Sequence, residues 1–136
     1  MTQLTLAQSY LQKARKRLKI LDVLLNENDY SDVVREAQEI TELALKAMLR
    51  AVGIDPPKWH DVGPLLLEHA SLFDVSIQQD LPELAEISKK LRKEREFSFY
   101  GAEDFIPTEE YSKEDAEEAI RWAHQVVQLV QKVVKE

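Results

Sequence analysis

Apolar residues recur along this chain at alternating spacings of three and four, the period of a helix with one buried face. The first stripe is Leu4, Ala7, Leu11, Ala14, Leu18, Leu21 and Leu25. It predicts a helix with Thr2 or Thr5 as its N-cap, because a hydroxyl there can accept from the free N–H groups of the first turn. A polar turn over 26–30 leads to a second helix carrying Val33, Val34, Ala37, Ile40, Ala44, Leu45 and Met48. Ser31 or Asp32 is its expected cap and Gly53 its stop. Leu43, Leu49 and Val52 widen that apolar face, so this helix should be the most buried element. Its polar residues Arg35, Glu39, Glu42, Lys46 and Arg50 fall on a single strip.

Asp55-Pro56-Pro57 reads as a stiff connector. A short helix is predicted over about 61–73, with Pro64 tolerated in its first turn. A fourth opens with Asp80, Pro82 and Glu83 and runs through Leu84, Ile87 and Leu91 to about Ser98, before Gly101. Residues 102–111 are acidic, interrupted by Pro107, and predicted irregular. Ser112-Lys113-Glu114-Asp115 forms a capping box for a last helix with the stripe Ala116, Ala119, Ile120, Ala123, Val127, Val130 and Val134. Short connections between such helices imply a single domain over 1–136, an all-α antiparallel up-and-down bundle of four or five helices.

Composition narrows the function. The 136 residues include only three glycines and no cysteine, too few turns for a compact β fold and no thiolate for a disulfide, zinc site or nucleophile. No apolar run approaches a membrane span, and residues 1–11 lack the charged-then-apolar layout of a secretory signal, so the expectation is a cytoplasmic protein with no membrane partner. His60, His69 and His124 lie far apart with no acidic partner at ligand spacing, and no glycine-rich phosphate loop occurs. No cofactor or metal is predicted.

The net charge of -7 argues against a polyanion held by bulk electrostatics, yet the charge is uneven. Residues 1–60 hold nine basic and eight acidic side chains, whereas 61–136 hold nine and seventeen, ten of those acids from Glu96 onward. Two basic clusters stand outside the acidic end: Lys13, Arg15, Lys16, Arg17 and Lys19 in the first helix, and Lys89, Lys90, Arg92 and Lys93 in the fourth. Either can be a solvated face or a nucleic-acid patch. The acidic end is a candidate face for a basic protein partner.

Arg95 is the least expected residue. At 100° per residue it shares a side of the fourth helix with Leu84, Ile87, Leu91 and Ser98, and a guanidinium on a core-facing stripe needs a partner. Glu36, Glu39 or Glu42 can supply a structural ion pair; a phosphate is the other reading. Phe97, Phe99 and Tyr100 follow, a cluster suited to a core plug, an interface or base stacking. His60 sits between Trp59 and Asp61, with Asp61 a possible cap for the short helix.

The segments Glu42-Leu43-Ala44-Leu45-Lys46-Ala47-Met48-Leu49, Gly53-Ile54-Asp55-Pro56-Pro57-Lys58-Trp59-His60-Asp61-Val62 and Leu65-Leu66-Leu67 resemble the middle of HEPN domains, the higher-eukaryote and prokaryote nucleotide-binding family. Tyr111-Ser112-Lys113-Glu114-Asp115-Ala116-Glu117-Glu118-Ala119 resembles that family's last helix. The resemblance implies a bundle that dimerises and pairs with a small nucleotidyltransferase in toxin-antitoxin or defence systems. It also implies a metal-independent ribonuclease where an Arg-x(4-6)-His motif ends the fourth helix. Here Arg95 stands at the motif arginine, but Tyr100, Gly101 and Ala102 follow where a histidine belongs, and counting from Arg92 reaches Phe97, Ser98 and Phe99. A tyrosine with a pKa near 10 is a poor general base at neutral pH. The expectation is therefore a catalytically inactive or diverged binding module for a nucleotide, RNA or nucleotidyltransferase partner. Arg95, Ser98 and Tyr100 would line its site, with His60 and Lys46 nearby. The alternatives are a ribonuclease with a modified site and a structural dimerisation protein built on the first helix's seam.

Overall fold

Thr5 starts the first helix, α1 (Leu6–Asn26): its hydroxyl accepts from the Gln8 N–H, and Gln8 Oε1 accepts in return from the Thr5 N–H at 2.9 Å. The structure is a computed structural model that describes residues 5–58 and 61–135; Thr2, Leu4, Trp59 and His60 therefore lie outside the described residues. Ala7, Leu11, Ala14 and Leu21 are buried as the stripe predicts. The chain reverses through Asn28, which takes a positive φ of 58°, into α2 (Tyr30–Ala51).

This second helix starts earlier than its side chains suggested. Asp29 occupies the cap position without a capping hydrogen bond, and Ser31 is buried in the first turn instead of capping it. Twelve residues of α2 are buried, against four in α1. It is the hub of the molecule, packing against α1, α5 and α7.

The expected helix over 61–73 is broken into α3 (Gly63–Glu68), a 3-10 turn (Ala70–Leu72) and α4 (Val75–Gln78). Asp61 Oδ1 accepts from the Gly63 N–H and the Ser88 hydroxyl, which ties the start of α3 to the next long helix. The last restart is a local cap: Asp74 Oδ1 accepts from the Ser76 N–H and hydroxyl at the start of α4. The Asp74 carboxyl is held below its ordinary range by those bonds from Ser76.

α5 (Leu81–Phe99) buries Leu81, Leu84, Ile87 and Leu91. Residues 101–111 then form a strap with more order than their composition suggested. Ala102 and Phe105 exchange backbone hydrogen bonds of 2.9 and 3.0 Å, and α6 (Pro107–Glu110) adds one helical turn. The strap is tied to α5 by aromatic rings. Phe105 meets Phe97 edge-on at 5.5 Å and Tyr111 at 5.8 Å, while the Tyr111 hydroxyl donates to Glu94 at 2.7 Å. Burial and Glu94 push the Tyr111 hydroxyl well above its ordinary pKa.

The predicted capping box opens α7 (Lys113–Val133), with Ser112 and Asp115 each accepting the other's N–H. The four long helices run up, down, up, down. Ala116, Ala119 and Ala123 are small enough for α7 to pack closely on α2. α1 and α5 flank that pair on opposite sides, and α5 touches α7 only sparsely. No described helix is long and apolar enough to cross a membrane.

Candidate functional site

Where α5 ends against the start of α2, cationic side chains from both helices surround one open cleft of about 470 Å³. Its lining is Arg35 from α2, Arg92, Lys93, Arg95 and Phe97 from α5, and Tyr100 just beyond. Arg35 is fixed most firmly. Its guanidinium reaches the Arg95 carbonyl at 3.4 Å, Glu39 at 3.2 Å and the face of Phe99 at 5.0 Å from the ring centroid. The same Glu39 carboxylate pairs with Arg95, at a longer 3.7 Å, and Arg92 pairs with Glu42 at 3.0 Å.

Glu39 and Glu42 thus pair with Arg35, Arg95 and Arg92 of the lining. The Arg95 side chain is 41% exposed and its pair with Glu39 is long; such pairs contribute about 0–1 kcal/mol, too little to hold the guanidinium away from a competing anion. Tyr100 is 74% exposed and Phe97 45%, so exposed aromatic surface stands beside the cations, each ring also meeting a neighbour edge-on, Phe99 and Phe105 respectively. Cations with adjacent exposed aromatic rings can hold a phosphate and stack a base.

One turn before Arg35, Asp32 is pushed up to about 6 by burial, by a hydrogen bond to Asp29 and by that residue's charge, against the opposing pull of Arg35. Among the described residues no cluster of His, Asp and Glu is arranged to hold a metal ion. Neither His69 nor His124 lines the cleft.

The predicted site residues separate. Arg95 and Tyr100 come together at the cleft, and Arg95 takes Glu39, one of its three expected carboxylates, as its partner. Ser98 is only 1% exposed, and its hydroxyl donates back to the Arg95 carbonyl at 3.2 Å. It sits beneath the cleft because it shares the buried stripe of α5. Lys46, further along α2 than Glu42, is not part of the lining. His60 falls outside the described residues. Arg35 from the polar strip of α2 joins the site, as do Arg92 and Lys93, for which a nucleic-acid patch is the alternative to a solvated face, and Phe97, for which base stacking is an alternative to a core plug or interface. For Arg92 and Arg95 a spacing of three was a usable signal. Arg35 was not locatable, since it enters from sixty residues away.

Residues 7–133 match the profile of the HEPN domain. The chain is 28% identical over 138 residues to the Methanocaldococcus jannaschii protein MJ1304, named as a candidate toxin; the match spans 96% of this chain and 89% of that protein. The crystal structure of the Thermus thermophilus protein TT1696 superposes with a TM-score of 0.76 at 24% identity, over 96% of this chain and all of that one. That likeness establishes the fold.

Proposed function

The chain belongs to the HEPN domain family, and from that membership we propose that it is a binding module of a toxin-antitoxin-type pair whose cationic cleft takes the phosphate of an RNA or nucleotide. The observation that carries the reading is the concentration of Arg35, Arg92, Lys93 and Arg95 around one open concavity, in a chain of net charge -7. A surface of that sign, against the overall charge and flanked by exposed Phe97 and Tyr100, suits a backbone phosphate with a base on the ring. The toxin-type pairing is supported by the likeness to the named relative. The partner in this reading is a nucleotidyltransferase-type protein, and the module acts as a homodimer.

Calorimetric titration with a short single-stranded RNA and with nucleoside mono-, di- and triphosphates tests the cleft. Arg95→Ala should weaken binding about tenfold and lower the slope of log affinity against log salt by about one. Absence of heat for every ligand with the wild-type protein refutes the cleft reading, as does an affinity unchanged by Arg95→Ala.

A further inference from the structure

On the other side of α5 from the cleft lies a second concavity, and its chemistry is of opposite sign. Because α5 and α7 both pack on α2 but scarcely on each other, they leave a groove of about 440 Å³ between them. Buried Val34, Leu91 and Ala119 form its floor. Phe105 from the strap and Trp122 from α7 stand in its walls, partly exposed. Glu94, Glu110, Asp115 and Glu118 line it against Lys90 and Lys93. The exposed acids Glu109 and Glu114, with partly exposed Glu117 beside them, continue the negative field beyond it.

We propose that this groove docks a basic, amphipathic segment of a partner protein. Apolar side chains of the segment enter between Trp122 and Phe105, and its lysines or arginines meet the carboxylates of α7 and the strap. The groove already holds one such contact internally: the Lys90 ammonium lies 5.5 Å from the centre of the Trp122 ring, so that ring accepts a cation in this geometry. The four lining carboxylates oppose a phosphate-bearing ligand here. They also give a basic segment both orientation and a faster encounter. The assignment is independent of what the cleft binds. A second copy of this chain is the competing occupant, because the exposed face of α1 carries Lys13, Lys16, Ile20 and Val23 and so has the same basic and apolar character.

The test uses the full chain and a fluorescent peptide of about 14 residues, four helical turns, with leucines at helical spacing and lysines elsewhere. Two control peptides carry glutamate for lysine or serine for leucine. The leucine-lysine peptide should bind with saturable anisotropy and shift the amide resonance of Ala119 and the indole resonance of Trp122. The doubly reversed variant Glu110→Lys, Glu118→Lys, altered only at exposed positions, should bind it about tenfold more weakly with an unchanged circular dichroism spectrum. Equal binding of the serine control would mean diffuse charge attraction and overturn the groove assignment. An unchanged affinity in the double reversal would overturn it too. Sedimentation showing that the double reversal dissociates a self-associated protein would assign the groove to a second copy, against the proposal.

Discussion

Replacing Gly101 with alanine tests how firmly the strap over 101–111 is locked onto α5. Gly101 has a φ of 71°, and a Cβ built there lies 2.5 Å from both the Phe105 carbonyl oxygen and Pro107 Cδ. Gly53 has a comparable φ of 84°, yet beyond its chain neighbours no heavy atom of the described residues lies within 4 Å of its Cβ position. Both substitutions carry the left-handed backbone penalty of about 1–2 kcal/mol. Both also gain about 0.4–1 kcal/mol from a less free unfolded chain. The difference between them therefore isolates the clash. Its contacts are backbone and a proline ring, so the strap must lift instead of a side chain turning aside. Lifting breaks the two Ala102–Phe105 hydrogen bonds, about 1 kcal/mol each, and loosens the ring contacts of Phe105, about 0.5–1.5 kcal/mol each. Gly53→Ala should cost about 1 kcal/mol and Gly101→Ala about 4 kcal/mol. Urea unfolding followed by circular dichroism measures both, and amide exchange at Ala102 and Phe105 should accelerate in the Gly101 variant alone. Equal destabilisation by the two variants, within about 0.5 kcal/mol, would refute the locked-strap reasoning.

Two other variants probe the supports of the site. The Asp32 carboxyl has its pKa raised to about 6 by burial and Asp29, so the folded state binds its proton more tightly than the unfolded chain does. That contribution to stability is present below about pH 4 and lost as the pH rises through about 6. Asp32→Asn should remove this loss, so urea midpoints of variant and wild type should diverge in the variant's favour between acid and neutral pH; parallel curves would contradict it. Ser112→Ala removes the hydroxyl that accepts from the Asp115 N–H and should cost about 1 kcal/mol in thermal unfolding, with no effect on phosphate binding at the cleft.

Long-period features were readable from the residues because they depend on neighbours three or four apart. The stripes of α1, α2 and α7, the N-cap at Thr5 and the capping box at Ser112 are of that kind. What escaped depends on distant docking. The strap is ordered by Phe97, Phe105 and Tyr111 meeting across different elements, which no local pattern encodes. The restart at α4 was hidden because Asp74 looks like an ordinary loop acid until its hydrogen bonds to Ser76 are seen. The cleft was half visible: its α5 cations were in plain view, whereas the contribution of Arg35 required the α2–α5 packing.

Lys93 belongs to both concavities, lining the cleft on one side of α5 and the groove on the other. A flexible ammonium so placed makes α5 a shared partition through which the two surfaces are energetically linked. A basic occupant of the groove repels that charge toward the cleft and raises the cleft's affinity for an anion. Reciprocity then requires the anion to strengthen the groove's hold on the basic segment by the same factor. Phosphate ligand and protein partner would be recruited cooperatively, and neutralising Lys93 would uncouple them while also costing the cleft one of its four cations.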